Sequence, residues 1–278
     1  MIDWKKYFDA IYLLQYAGYN GRRLSGTMEE LKRVGILDSG IFHVYETIQS
    51  PLYEKLRSQI PHDPRMDNGQ SLFSCTLGHY SIYKICELRK YERILILEDD
   101  IVFLKDIDLI EDILKKTPDA YDMVMYTHFV GIFDKPSVYG YTNMMKASRD
   151  GGMFYIKLGN TGPDIASAGM YSVSRNFSTI LCGLQERYFS VSDVIFNNTT
   201  SRYKEQFSEF TDLVLQNTNR YICTYPLSLQ KYYMESITDT NHKNIIHTII
   251  RGTVDMYRKC GLDISDYNKF DEFIKDIL

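Results

Sequence analysis

Apolar residues along this chain gather into short unbroken runs separated by stretches in which they recur every three or four positions. Residues 8–16 (Phe-Asp-Ala-Ile-Tyr-Leu-Leu-Gln-Tyr) are the first run and predict a strand. A Gly-rich turn carrying Arg22 and Arg23 follows, then a helix over 26–34 with Gly35 beyond it as a cap. Residues 42–48 predict a second strand, Pro51 opens a short helix, and the polar stretch 61–69 predicts a loop. Leu72, Cys75, His79, Ile82 and Cys86 recur at helical spacing, so a long helix over 71–90 turns one stripe inward. Arg93 to Leu97 is a nearly unbroken apolar run of the kind found in a central strand covered on both faces. A helix over 108–116 and a strand over 122–126 complete this first half.

After residue 128 the pattern loosens. Residues 131–165 hold many Gly, Tyr, Asn and Met without a firm period, which predicts a long functional loop or an added ribbon. A strand over 168–174, a helix over 176–187, a short helix over 211–218 and a strand over 221–225 follow. An unassigned insertion occupies 188–210, and the tail from 241 is helical. Alternating strands and helices predict an α/β fold with a largely parallel central sheet flanked by helices. The expected organisation is one domain over 1–240, with a first part to about 128 and a second over 129–240, and a helical extension over 241–278.

Composition narrows the function. A hydrophobic content of 44% supports a sizeable core, and a net charge of -4 argues against a nucleic-acid partner. The five cysteines show no Cys-x-x-Cys pair, which suits reduced thiols better than a disulfide framework. The opening Met-Ile-Asp-Trp-Lys-Lys lacks the apolar core of a signal peptide, and no apolar run approaches the ~18 residues that span a bilayer. The expectation is a cytoplasmic protein that docks, if at all, peripherally at the inner face of a membrane.

The run ending at Leu97 leads directly into Glu98-Asp99-Asp100 and then into apolar Ile-Val-Phe. Acids at the C-terminal end of a parallel strand lie where open α/β sheets bind ligands. Three adjacent carboxylates repel one another and lose hydration, so a half-buried set calls for a cation. Oxygen-only donors favour a hard divalent ion, Mn²⁺ or Mg²⁺, which brings a phosphorylated substrate with it. The alternative is a solvated acidic turn; the immediate return of apolar residues favours the cation.

Two stretches, Ser74-Cys-Thr-Leu-Gly-His-Tyr-Ser-Ile-Tyr-Lys-Ile85 and Arg93-Ile-Leu-Ile-Leu-Glu-Asp-Asp-Ile-Val-Phe103, together resemble glycosyltransferase family 25. Its members carry a Gly-Cys-x-x-Ser-His helix and then a Leu-Glu-Asp-Asp strand end; here Ser74 replaces the Gly and Gly78 the Ser. The resemblance extends to Ile11–Tyr16 before Arg22 and Arg23, with Gln15 in the place of an Asn and without the charged residues that usually follow. It extends also to Ala168-Gly-Met-Tyr-Ser-Val-Ser174, to Asp212 in Phe210–Leu215, and to Pro226-Leu-Ser-Leu-Gln230.

The resemblance implies a GT-A-like fold, a UDP-sugar donor, inversion at the anomeric carbon and a Mn²⁺ or Mg²⁺ ion bridging the donor's phosphates. It places Glu98 and Asp100 on the metal, with Asp100 the direct ligand and Asp99 on the ribose or orienting the ion. Strand alternation through the motif is the reason for choosing the outer pair. Gln15, Arg22 and Arg23 fall on the donor side, where guanidinium matches phosphate; exposed turn arginines are the alternative. Inversion needs a base, for which Asp212 is the first candidate and Asp193 the reserve; a helix-start role is the other reading of Asp212. His242 is a further metal candidate or an exposed helix-start histidine. His79 reads as a core histidine satisfied by a hydrogen bond, and Cys75 as a small core hydrophobe. Residues 131–165 suit a flap whose tyrosines stack on sugar faces.

The implied reaction transfers galactose, or else glucose, to an oligosaccharide or glycolipid such as lipopolysaccharide. A collagen-like hydroxylysine acceptor, a non-catalytic binding or assembly module, and another metal-dependent enzyme acting on phosphate esters are the competing expectations.

Overall fold

The computed structural model describes residues 1–16, 22–47, 52–59, 70–127, 129–130, 147–148, 150–158, 165–166, 169–188, 217–225 and 227–230. The expectations for Asp193, Asp212, His242, most of the flap, the insertion and the tail lie outside them.

In chain order the elements are β1 (Ala10–Gln15), α1 (Arg22–Arg33), β2 (Phe42–Glu46), α2 (Leu52–Gln59), α3 (Gln70–Arg89), β3 (Arg93–Glu98), β4 (Ile101–Phe103), α4 (Ile107–Lys115), β5 (Met123–Met125) and β6 (Phe129–Val130). They continue with β7 (Tyr155–Lys157), β8 (Ile165–Ala166), β9 (Met170–Ser174), α5 (Arg175–Tyr188), β10 (Arg220–Cys223) and β11 (Ser228–Gln230).

Seven strands form the central sheet in the order β2-β1-β3-β9-β5-β10-β7. β1, β2, β3, β5 and β10 point one way, while β9 and β7 run against them. The fold is therefore mixed α/β with a mostly co-directional sheet, as the alternation of elements predicts. Strands from both sides of residue 128 share this one sheet, because β9 inserts between β3 and β5.

Two apolar layers cover the sheet. Ala10, Tyr12, Leu14, Ile94 and Ile96 face a layer with Ile82, Tyr83 and Cys86 of α3 and Phe177 and Leu181 of α5. Ile11, Leu13, Leu95 and Leu97 face the other layer, with Leu31 of α1 and Ile110, Ile113 and Leu114 of α4. Burial on both faces is what the unbroken apolar runs of β1 and β3 encode. Helix α3 is buried more widely than one stripe, since it packs against both the sheet and the neighbouring α5. Gly78 on α3 lets the helix approach β1 closely: a Cβ there would stand 2.5 Å from Leu14 Cδ1.

Two expectations need correction. Arg22 and Arg23 do not lie in a turn, because α1 begins at Arg22 and runs to Arg33, with Gly35 just past it at φ +79. Strand β3 ends at Glu98, and Asp99 and Asp100 form a turn before β4. The alternation that paired Glu98 with Asp100 therefore stops at Glu98.

Candidate functional site

Strand order reverses at β1: the chain runs outward to β2, then returns past β1 to β3. Helix α1 leaves β1 on one face, and α3 enters β3 from the other. A crevice at the carboxyl ends of such strands is the usual ligand position in open α/β sheets. The three acids arrive there.

Each acid is held differently. Asp99 is 5% exposed. Its Oδ2 accepts from the Tyr16 backbone N–H at 3.0 Å, just beyond β1, and its carbonyl accepts from Thr27 Oγ1 of α1 at 2.8 Å. Asp100 is 7% exposed at the same turn. Glu98 is the last residue of β3, its N–H donating to the Gly169 carbonyl at 2.9 Å. Its carboxylate is directed at α3, with Oε1 at 3.4 Å from His79 Nε2 and 4.0 Å from Cys75 Sγ.

Helix α1 braces the chain beyond the turn. Glu30 Oε2 accepts from the Phe103 N–H at 3.0 Å, and Arg33 donates to the carbonyls of Phe103 and Leu104. β4 pairs antiparallel with β11, placing Gln230 opposite Ile101. Ser228–Gln230, the end of the late family-like element, thus folds back beside the acidic turn. Gln15 ends β1 opposite Glu46 of β2, and its carbonyl accepts from the Thr47 N–H at 2.8 Å.

His79, 1% exposed, places Nδ1 at 2.7 Å from the Tyr171 hydroxyl, which lies 2.7 Å from the Tyr83 hydroxyl. Burial first, then the neighbouring Tyr83 and Glu98, pushes the Tyr171 phenol well above its ordinary value, so it keeps its proton at neutral pH. His79 is the hydrogen-bonded core histidine that the helix pattern predicts. It also belongs to a group that local reasoning missed: one ligand atom each from Cys75, His79 and Glu98 lies within 4.8 Å of the others. The signal available in sequence is the four-residue spacing of Cys75 and His79, which puts both on one helix face.

The donors sort by chemistry. Asp99 and Asp100 offer the oxygen atoms that a hard divalent ion requires, whereas Glu98 faces a sulfur and a nitrogen. Among the described residues, Asp100 belongs to no group of three converging His, Cys, Asp or Glu ligands.

Residues 45–148 match the family model described as glycosyltransferase family 25 (LPS biosynthesis protein). This segment is a glycosyltransferase family 25 domain. A domain of this family supports a transferase enzyme, which works with a sugar donor and an acceptor. The family 25 domain contains α3, β3 and the acidic turn; β1, β9 and β11, which surround them, come from outside the matched residues. No curated protein matches the chain. Among solved structures it is similar to a glycosyltransferase involved in the glycosylation of the major capsid of PBCV-1, at 10% identity over 90% of this chain and 99% of that one, with a TM-score of 0.41. Mouse xyloside xylosyltransferase 1 in its apo form is similar at 9% identity over 80% of this chain and 97% of that one, with a TM-score of 0.34.

Proposed function

We propose that the protein is a metal-dependent inverting hexosyltransferase that moves galactose, or else glucose, from a UDP-sugar to a hydroxyl of a cell-surface glycan. The observation that carries this reading is the buried Asp99-Asp100 turn inside the family 25 domain, at the carboxyl ends of the paired strands β1 and β3. The family's description as an LPS biosynthesis protein favours a lipopolysaccharide-type acceptor reached from the inner face of a membrane. Among the described residues no helix is long and apolar enough to cross one.

A bound Mn²⁺ or Mg²⁺ ion would neutralise the charge that gathers on the departing diphosphate. In this reading Asp100 would hold the ion, with His242 as a further ligand. Asp99, anchored by the Tyr16 N–H, orients the ion or binds the ribose. Arg22 and Arg23, at the start of α1, pair with the diphosphate, where a helix N-terminus also favours negative charge. Gln15, at the end of β1, lies on the donor side. Asp212 takes the proton from the attacking acceptor hydroxyl, with Asp193 the reserve.

A panel of UDP-sugars assayed for UDP release with Mn²⁺ tests this. Turnover of UDP-galactose or UDP-glucose is expected, falling about 10²–10⁴-fold in Asp212→Asn while the melting temperature holds. Indifference to every nucleotide sugar, in turnover and in thermal shift, would leave a binding module.

A further inference from the structure

We propose that Cys75, His79 and Glu98 form a second metal site, selective for Zn²⁺ or a similar borderline ion, which ties α3 to the end of β3. The site is distinct in donor chemistry from the acidic turn, and the inference does not depend on the transferase reading. Thiolate and imidazole favour borderline ions, whereas Mg²⁺ and Mn²⁺ prefer oxygen alone.

The geometry supports tetrahedral binding. With ordinary zinc bond lengths, the N···O edge of a tetrahedron is about 3.4 Å and the S···O edge about 3.6 Å. His79 Nε2 and Glu98 Oε1 are 3.4 Å apart, and Cys75 Sγ and Glu98 Oε1 are 4.0 Å apart. The S···O edge is a few tenths of an ångström too long, and with all three ligand atoms within 4.8 Å of one another the sulfur closes on the ion by moving inward. Cys75 and His79 lie one helical turn apart on α3, so their side chains project together from one face.

The surroundings orient the imidazole as well. A ligating histidine normally donates its second N–H to a fixed partner. His79 Nδ1 has such a partner in Tyr171 of β9, whose hydroxyl is held by Tyr83 of the same α3 helix. With Nδ1 carrying the proton, the Nε2 lone pair points to the side occupied by Glu98 and Cys75. Three protein ligands leave a fourth position for water. Because Glu98 directly precedes Asp99 and Asp100, an ion holding its carboxylate also fixes where the acidic turn begins.

Cobalt substitution of the chelator-treated full chain tests the site without any activity assay. Co²⁺ is expected to give a thiolate-to-cobalt charge-transfer band and the intense visible bands of a tetrahedral centre. Cys75→Ser should abolish the charge-transfer band, and His79→Ala should lose the stoichiometric zinc that the parent chain retains on dialysis. Tyr171→Phe, which keeps all three ligands, should weaken zinc about 10–100-fold in a chelator competition. A parent chain showing no thiolate band, or a band that survives Cys75→Ser, would reduce the group to a hydrogen-bonded core cluster.

Discussion

At the scale of single residues, Gly78 shows how a small side chain sets the distance between two elements. Helix propensity alone makes Gly→Ala favourable by about 1 kcal/mol. Here the new methyl would meet Leu14 Cδ1 at 2.5 Å, Leu14 Cγ at 3.5 Å and Thr47 Cγ2 at 3.4 Å. Leu14 is 3% exposed within the core, so its Cδ1 methyl must shift against packed neighbours. Gly78→Ala is expected to destabilise the fold by about 1–3 kcal/mol, measured by urea unfolding. Combining it with Leu14→Val should cost less than the sum of the single changes, because the two side chains share one space. The resemblance at this helix marks Gly78 as a departure from a family serine, but its contact with Leu14 is a matter of packing that no local pattern reveals.

Among the elements, β9 is the one that joins the others. It runs antiparallel between β3 and β5, and its last residue, Ser174, opens α5. Ser174 Oγ accepts from the Phe177 N–H at 3.1 Å and lies 3.4 Å from Asp122 Oδ1. Asp122 Oδ2 in turn accepts from the Asn219 N–H at 2.7 Å, just before β10. One serine therefore links a helix start to the entry of two further strands. Ser174→Ala should lose a helix cap and cost about 1 kcal/mol. The expected signature is a lower urea midpoint with an unchanged slope, since the surface exposed on unfolding stays the same. The apolar periods identify β9 and α5 as a strand and a helix. The antiparallel direction of β9 depends on where the chain re-enters the sheet, which local periodicity does not contain.

Over the whole molecule, burial of weak acids in the two core layers makes stability depend on alkaline pH. Desolvation raises Tyr121 and Tyr12 from 10.0 to about 12, and Cys182 from 9.0 to about 12. In the unfolded chain these groups lose their protons at the lower values, so the unfolded state binds fewer protons over that interval. Their contribution is fully present below about pH 9 and is lost as pH rises toward 12. Urea midpoints taken across that window should fall progressively. Tyr121→Phe should flatten the slope, even though the change removes a 2.6 Å hydrogen bond to Ser172 and lowers stability at neutral pH. A slope equal to that of the parent chain would mean that Tyr121 takes no part.

Periodicity and run length alone determined the α/β class, the order of most elements and the arrival of three acids at a strand end. Those features follow from local preference and from which side chains must leave water, and both are written into neighbouring residues. Tertiary structure decided where β3 stops, and so which acid faces which partner. It also decided that a cysteine and a histidine on α3 meet Glu98, 19 residues beyond that histidine, and Tyr171, 92 residues beyond it. Such meetings depend on the depth at which α3 packs and on the strand inserted beside β3, and spacing along the chain specifies neither.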